Sequence, residues 1–252
     1  MDLSRNAQVA ARFAARADTY DRYATIQASV ADRLAEFLPE LVAPDVLEVG
    51  CGTGLLTRKL VSAYPQGRFL VTDLAPEMLA VCRRNVAPRN GQTVRLALMN
   101  AEVPDLSDRF GLIATSMTLQ WLSDPVDALA RLRGHLQPGG SLVFATLGPD
   151  GFSEWRAALA AEGLADGTVQ MPELPGVFHE ERQTIAFDSA LSFLNRIKSI
   201  GAAEPRAGYH PLSPGALRAA LRRLDREHDA RVTWHLVYGR LDAVARGSGA
   251  SS

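Results

Sequence analysis

Cysteine is scarce in this 252-residue chain: Cys51 and Cys82 are its only two. Two thiols cannot make a disulfide framework, and no Cys/His cluster has zinc-ligand spacing, so no metal site is expected. Lysine is equally rare, with only Lys59 and Lys198; the other 25 of 27 basic residues are arginine. We read that as compositional bias and not as function. There is no excess charge, since 27 basic residues face 28 acidic ones for a net charge of −1. That balance argues against an overall electrostatic grip on nucleic acid or on an anionic membrane. No apolar run approaches the ~18 residues that span a bilayer. The first eighteen residues alternate charge with alanine and do not read as a secretory signal. The expectation is a soluble, cytoplasmic protein with neither nucleic acid nor membrane as partner. What the chain does have is 47% hydrophobic and 22% charged residues, enough for a sizeable core. At ~100–200 residues per domain, this length fits one large domain, with or without a small cap.

Hydrophobic patterning alternates strands with helices. Short apolar runs at 46–49, 69–72, 94–98, 112–115 and 142–147 read as strands. Helical stretches separate them at 55–63, 76–85 and 124–136, the last carrying Leu129, Leu132 and Leu136 on one face and stopped by Gln137-Pro138-Gly139-Gly140. Such alternation implies right-handed crossovers and a parallel sheet, an α/β fold. After Leu147 the rhythm breaks. A helix is expected at 153–162, a loop at 165–181, a helix at 189–200 and a buried late strand at 233–241. The N-terminal 7–38 reads as largely helical with a break around 19–25. We expect one domain over 1–246, divided into an N-terminal helical cap (1–40), a first half (41–147), a cap insertion (148–187) and a C-terminal half (188–246), then a flexible tail (247–252).

The most informative stretch is Val46-Leu47-Glu48-Val49-Gly50-Cys51-Gly52-Thr53-Gly54. A strand delivers it and a helix leaves it. Glycines allow a tight turn and close approach to a ligand, and the following helix N-terminus offers free N–H groups to an anion. The dinucleotide fingerprint would want Gly or Ala at position 55, where Leu55 stands. Glu48, two residues before Gly50, suits an ammonium group better than a pyrophosphate. Asp73 ends the second strand, 23 residues after Gly50, where a carboxylate can accept from ribose hydroxyls.

These residues resemble the class I S-adenosylmethionine-dependent methyltransferases. Glu48 to Gly54 is similar to their first motif, Asp73-Leu74-Ala75-Pro76-Glu77-Met78-Leu79 to their second, and Gln137 to Gly140 to a late one, while Asn100-Ala101-Glu102 stands where the adenine-binding segment is expected. The resemblance implies a Rossmann-like, mostly parallel seven-stranded sheet with helices on both faces and an N-terminal and insertion cap. It implies S-adenosyl-L-methionine as cofactor, held by Glu48, Gly50, Cys51, Gly52, Gly54, Asp73, Leu74, Met78, Asn100, Ala101 and Ser116. The family more often has Asp where Asn100 stands, although an Asn carbonyl can still accept from the adenine amino group.

A narrower resemblance runs through nearly the whole chain. Arg12-Phe13 with Thr19-Tyr20-Asp21-Arg22-Tyr23-Ala24 and Gln27 is similar to the start of the malonyl-acyl-carrier-protein O-methyltransferases of biotin synthesis. So are Thr118-Leu119-Gln120-Trp121, Phe144-Ala145-Thr146-Leu147, Lys198-Ser199-Ile200-Gly201-Ala202 and Trp234 to Gly239. Malonyl-acyl-carrier protein or malonyl-CoA is the partner this implies. Tyr20 is then the catalytic and substrate-positioning candidate, with Gln120, Trp121, Arg182 and Lys198 as further substrate contacts. Arg218, Arg222 and Arg223 lie at helical spacing and could face an acidic carrier, or form an exposed face balanced by Asp225 and Glu227. One departure is that 153–184 is shorter than the family pattern and lacks a cap helix, which leaves the acyl substrate less constrained than the cofactor.

The chemistry agrees with the absence of a His/Asp dyad near the motifs. A carboxylic acid titrates near ~4, so at neutral pH the nucleophile is already ionised and no general base is required. Three other readings compete. One is a methyltransferase of a free small molecule, such as a dicarboxylic acid or quinone-like ring; carbon or phenol methylation usually wants a base, so a pocket histidine would favour it. A non-catalytic member of the fold would show degraded Gly or Asp positions, and a dehydrogenase is disfavoured by Leu55.

Overall fold

The computed structural model describes residues 3–17, 19–22, 24–199 and 209–244. Expectations for Tyr23, Ile200, Gly201, Ala202 and the 247–252 tail fall outside the described residues. The chain opens with α1 (Leu3–Ala14), a 3-10 turn (Tyr20–Arg22) and α2 (Thr25–Glu36). There follow β1 (Asp45–Val49), α3 (Leu55–Ala63), β2 (Arg68–Asp73), α4 (Pro76–Asn85), β3 (Thr93–Leu98), β4 (Phe110–Ser116) and α5 (Pro125–Arg133). Then come β5 (Leu136–Leu147), α6 (Ser153–Ala161), β6 (Val177–Ala186), α7 (Ala190–Ser199), α8 (Pro214–His228) and β7 (Arg231–Asp242).

Local chemistry explains the helix boundaries. Asp124 caps α5 by accepting from the Asp127 N–H, and Pro125 follows in the first turn, where its missing N–H costs nothing. Ser213 caps α8 in the same way through Ala216, ahead of Pro214. Helix α4 starts on Pro76 with Glu77 in its first turn and carries Arg83 and Arg84 in its last, which complements the helix dipole.

Seven strands form one sheet in the order β3-β2-β1-β4-β5-β7-β6. The pairs β1–β2, β2–β3, β1–β4 and β4–β5 are all parallel. Strand β7 reverses: Ala243 N donates to Gly140 O at 2.9 Å while Gly148 N donates to His235 O at 2.8 Å, so one strand rises as the other falls. The central strands are apolar on both faces, with Val46, Leu47, Val71, Leu112 and Ile113 wholly buried, as expected where helices cover a parallel sheet. Strand order turns at β1, which has β2 on one side and β4 on the other; ligands of open α/β sheets bind in the crevice beyond the carboxyl ends of strands at such a switch.

The chain divides into two compact units. One comprises the described residues within 1–146, 174–178 and 238–252. The other comprises those within 147–173 and 179–237. In the second, Trp155, Leu159, Phe193, Ala220, Leu224 and Val232 make the core shared by α6, α7 and α8. Among the described residues no helix is long and apolar enough to cross a membrane.

Two expectations about elements need correction. The helix expected to run to Leu136 ends at Arg133, because Leu136 pairs with Phe110 and opens β5. Gln137 to Gly140 therefore lie inside that strand, at a bulge where the register shifts between Phe110 and Leu112 and Gly139 takes φ +78°. The loop expected at 165–181 yields to β6 from Val177 onward. This strand is the last in the sheet order, and its sequence VFHEERQTIA has no clean apolar alternation to announce it.

Candidate active site

Beyond the carboxyl ends of β1, β2 and β4 lies a cleft with about 970 Å³ of empty space, part of it open to solvent. Among the described residues, those that line it lie between Asn6 and Leu122, within the first unit. Its floor begins with Glu48. The neighbours Val46, Leu47 and Val49 bury the strand, so the carboxyl is carried inside with them and is only 2% exposed. Glu48 Oε2 has no hydrogen-bond partner among the described residues. Burial pushes its pKa up to about 8; a hydrogen bond from Thr57 opposes this, while Cys82 and Asp73 add to it. Leaving such a group unpaired costs ~1–3 kcal/mol, so this carboxyl fits a ligand that brings donors.

The turn after Glu48 is shaped to admit a ligand. At Gly50, with φ +70°, an added Cβ would overlap the Thr118 side chain. At Gly52, with φ +53°, nothing lies within 4 Å of where a Cβ would stand. The turn is tied to β2, since Cys51 N donates to Thr72 O at 2.9 Å and Gly52 N donates to Asp73 Oδ2 at 2.8 Å. Cys51 lines the cleft; a hydrogen bond to Cys82, and then burial, push its thiol pKa up, so it stays protonated. Gly54 is not among the lining residues: its Cβ position lies 3.0 Å from Val86 and 3.1 Å from Cys82 Sγ, so its smallness serves the packing of α3 beside α4.

Asp73 closes β2 with both carboxylate oxygens already accepting, from Gly52 N and, at 2.9 Å, from Ala75 N. Burial raises its pKa against those backbone bonds. Each oxygen keeps a second lone pair for a hydroxyl donor. Leu74 and Met78 line the cleft beside it, and Asn100, Ala101 and Ser116 complete the strand-end set. Asn100 Oδ1 accepts from Glu102 N at 3.0 Å, a local turn that holds its side chain in place.

The N-terminal segment supplies the opposite side of the cleft. Asn6, Val9, Ala10, Phe13 and Tyr20 all line it. Asn6 Nδ2 donates to Glu102 Oε2 at 3.0 Å, and Thr53 Oγ1 donates to Asp21. Phe13 meets Trp121 edge-on, with ring centroids 5.4 Å apart, and stands 6.1 Å from Tyr20. Burial, then the charges of Asp73 and Asp21, push the Tyr20 hydroxyl well above the usual phenol range. At neutral pH it is therefore a hydrogen-bond donor.

Of the expected substrate residues, Trp121 lines the cleft and Gln120 does not. The Gln120 amide is consumed internally: Nε2 donates to Met117 O at 2.9 Å and Oε1 accepts from Thr146 at 2.6 Å. It braces Met117, a cleft residue held at φ +54°. That left-handed strain had no signature in the sequence. Arg182 and Lys198 belong to the second unit. Arg182 is exposed on β6 and paired with Asp150 at 2.8 Å; Lys198 is exposed on α7. Among the three arginines of α8, Arg223 is paired with Glu162 and Glu227, while Arg218 and Arg222 are exposed. Gln27, which the sequence marks only as part of a motif, also lines the cleft, as do Met117 and Thr118.

Comparison with known proteins agrees with this geometry. Residues 46–140 match the family described as "Methyltransferase domain". The chain is 39% identical to the biotin biosynthesis bifunctional protein BioCD of Bordetella avium over 92% of its own length, and spans about half (51%) of that longer relative. It is 35% identical to a malonyl-[acyl-carrier protein] O-methyltransferase of Magnetococcus marinus, covering 94% of this chain and 92% of that one. Among solved structures, the YcgJ protein of Bacillus subtilis shares the fold at a TM-score of 0.62 and 13% identity, over 86% of this chain and 99% of that one. The chain belongs to the malonyl-[acyl-carrier protein] O-methyltransferase family, and it is an S-adenosylmethionine-dependent methyltransferase.

Proposed function

We propose that this chain methylates the free carboxylate of a malonyl group carried as a thioester on an acyl-carrier protein, an early step of biotin synthesis. Malonyl-CoA, which presents the same acyl group without the protein, is the second substrate to test. The observation that carries the reading is the pairing of a buried carboxyl with one unpartnered oxygen, just before the first turn, with a donor-type tyrosine in a cleft that has no histidine among its lining residues. Likeness to relatives named for this activity over nearly the whole chain supports it.

When bound, S-adenosylmethionine supplies an electrophilic methyl group. Glu48 would hold its ammonium and Asp73 its ribose hydroxyls. The turn from Gly50 to Gly52, with Cys51, would pass close to its backbone; Leu74, Met78, Asn100 and Ala101 would flank the base, and Ser116 the reacting end. Gly54 would act from behind, by setting α3 against α4. On the substrate side, Tyr20 would donate to one carboxylate oxygen and leave the other free to take the methyl. Trp121 and Phe13 would form an apolar wall that excludes water. The carboxylate brings its own electron pair and loses no proton, so no residue acts as base. Catalysis then rests on alignment. Arg182 and Lys198 would serve outside the cleft, as cationic contacts for a carrier or its phosphate, with Arg218 and Arg222 beside them in that role.

The test offers labelled S-adenosylmethionine with malonyl-carrier, malonyl-CoA and free dicarboxylates in parallel. Methyl ester formation on the malonyl thioesters is expected. Transfer only to a free dicarboxylate would replace this reading with the small-molecule one.

A further inference from the structure

Two acceptor oxygens in the cleft are buried without a hydrogen-bond partner among the described residues: Glu48 Oε2 and Gln27 Oε1. They come from different elements. Gln27 stands in the first turn of α2, 8% exposed, among the buried Ile26, Val30, Ala31 and Leu34. Helix α2 packs against α3 and β4, so the amide is seated in the core of the first unit and not on a swinging arm. Burying an amide oxygen without a donor costs free energy, and two such oxygens lining one cleft point to a ligand group that serves both.

The chemistry of that group is constrained. A hydroxyl has one proton and can satisfy one acceptor. A carboxylate or phosphate has none and would be repelled by Glu48. An ammonium carries three N–H donors and a positive charge, so it can donate to a carboxylate and to a neutral carbonyl oxygen together. Asp73, with two backbone N–H bonds already made, is the site for hydroxyls and is not part of this pair. We propose that Gln27 is a cofactor-binding residue, whose side-chain oxygen accepts the second N–H of the cofactor's α-ammonium while Glu48 accepts the first. The inference rests on the reading of the cleft as the S-adenosylmethionine site. It makes α2 part of that site, and it gives the enzyme an amine-reading pair, one charged acceptor and one neutral.

The experiment is calorimetric titration of the full chain with two probes: S-adenosylhomocysteine, and its analogue in which hydrogen replaces the α-amino group. Gln27→Met, close in size and apolar, should weaken S-adenosylhomocysteine roughly 10- to 100-fold, the usual worth of a hydrogen bond to a charged group. The deaminated analogue should bind Gln27→Met and the parent alike. Gln27→Glu keeps an acceptor, so it should hold S-adenosylhomocysteine within a few-fold of the parent and bind the deaminated analogue more weakly. It also stands in should Gln27→Met not fold, which near-ultraviolet circular dichroism reports. Equal weakening of both probes by Gln27→Met would show a packing role and overturn the proposal. So would unchanged S-adenosylhomocysteine affinity together with a raised KM for malonyl-carrier. A parent protein that binds neither probe would overturn the cofactor reading itself, a separate outcome from the loss of Gln27's role.

Discussion

Two glutamates, one in each unit, behave in opposite ways: Glu48 lies in an apolar strand and Glu154 at a helix start. Glu154 stands in the first turn of α6 in the second unit and gives both oxygens to one residue, accepting from the Thr233 backbone N–H at 2.8 Å and from the Thr233 hydroxyl. Burial pushes its pKa up, but those bonds and others from its own helix start outweigh it, and the group ends below the usual range. Glu48 in the first unit is more deeply buried, has one oxygen with no partner, and is pushed up to about 8. His235 in the second unit follows the Glu154 pattern: Nδ1 accepts from Asp150 N at 3.1 Å, and Nε2 meets Glu180 at 3.0 Å. A satisfied buried polar group holds a structure together. An unsatisfied one stores free energy for a ligand to release.

The contrast can be broken at several points, taken from the largest expected effect down. Tyr20→Phe keeps the ring against Phe13 and removes only the donor. We expect the single-turnover methyl-transfer rate to fall ~100-fold, the cost of slight misalignment. The parent's rate should stay nearly flat from pH ~6 to 8, because a carboxylate nucleophile titrates near ~4. A steep rise through neutral pH, abolished by a single His→Ala change, would remove carboxyl methylation from consideration.

Asp73→Ala comes next. Calorimetry should show a loss of about 2 kcal/mol in S-adenosylhomocysteine affinity, roughly 30-fold, within the range for hydrogen bonds to a charged acceptor. An unchanged affinity would mean that Asp73 only braces the Gly52 turn.

Third is the pH dependence of cofactor affinity as distinct from that of the chemical step. With a pKa of about 8 in the ligand-free protein, Glu48 is protonated at neutral pH, yet it must be ionised to hold an ammonium. Binding therefore releases a proton, and affinity should rise up to ~10-fold per pH unit below that value and level off above it. Glu48→Gln should flatten the slope; a slope that persists in this variant would assign the proton to another group.

The smallest effects are on stability, and they differ in sign between the two glutamates. The folded-state pKa of Glu48 lies above its usual 4.5, so the ligand-free folded protein binds a proton that the unfolded chain has released. Its contribution is full below pH ~4.5 and is lost between there and ~8. Thermal melts of Glu48→Gln at pH 7.5 should thus show a gain relative to the parent. Glu154→Gln at the same pH should show a loss of ~1 kcal/mol, because it weakens bonds that are already made.

Much of this site was legible in the one-dimensional pattern because its parts are local. A strand and a glycine turn in nine consecutive residues, with a helix directly after them, need no tertiary information, and neither does an acid at the end of the next strand. Glu48, Gly50, Gly52 and Asp73 therefore stand where the pattern placed them. What the pattern missed depends on contacts far apart in the chain. Gln120 sits next to a cleft residue in sequence, yet its amide is spent on Met117 and on Thr146, 26 positions away. Strand β6 was hidden because a strand at the end of a sheet can be polar on both faces. Gln27 was visible only as one letter in a motif. The amino-acid order by itself determined the alternating α/β architecture, the glycine turn and the two acids, since each follows from backbone freedom and apolar periodicity within a few residues. Only the tertiary structure decided which polar groups would be left unpaired, because satisfaction of a buried oxygen depends on what the rest of the chain brings within 3.5 Å of it, and no local pattern carries that distance.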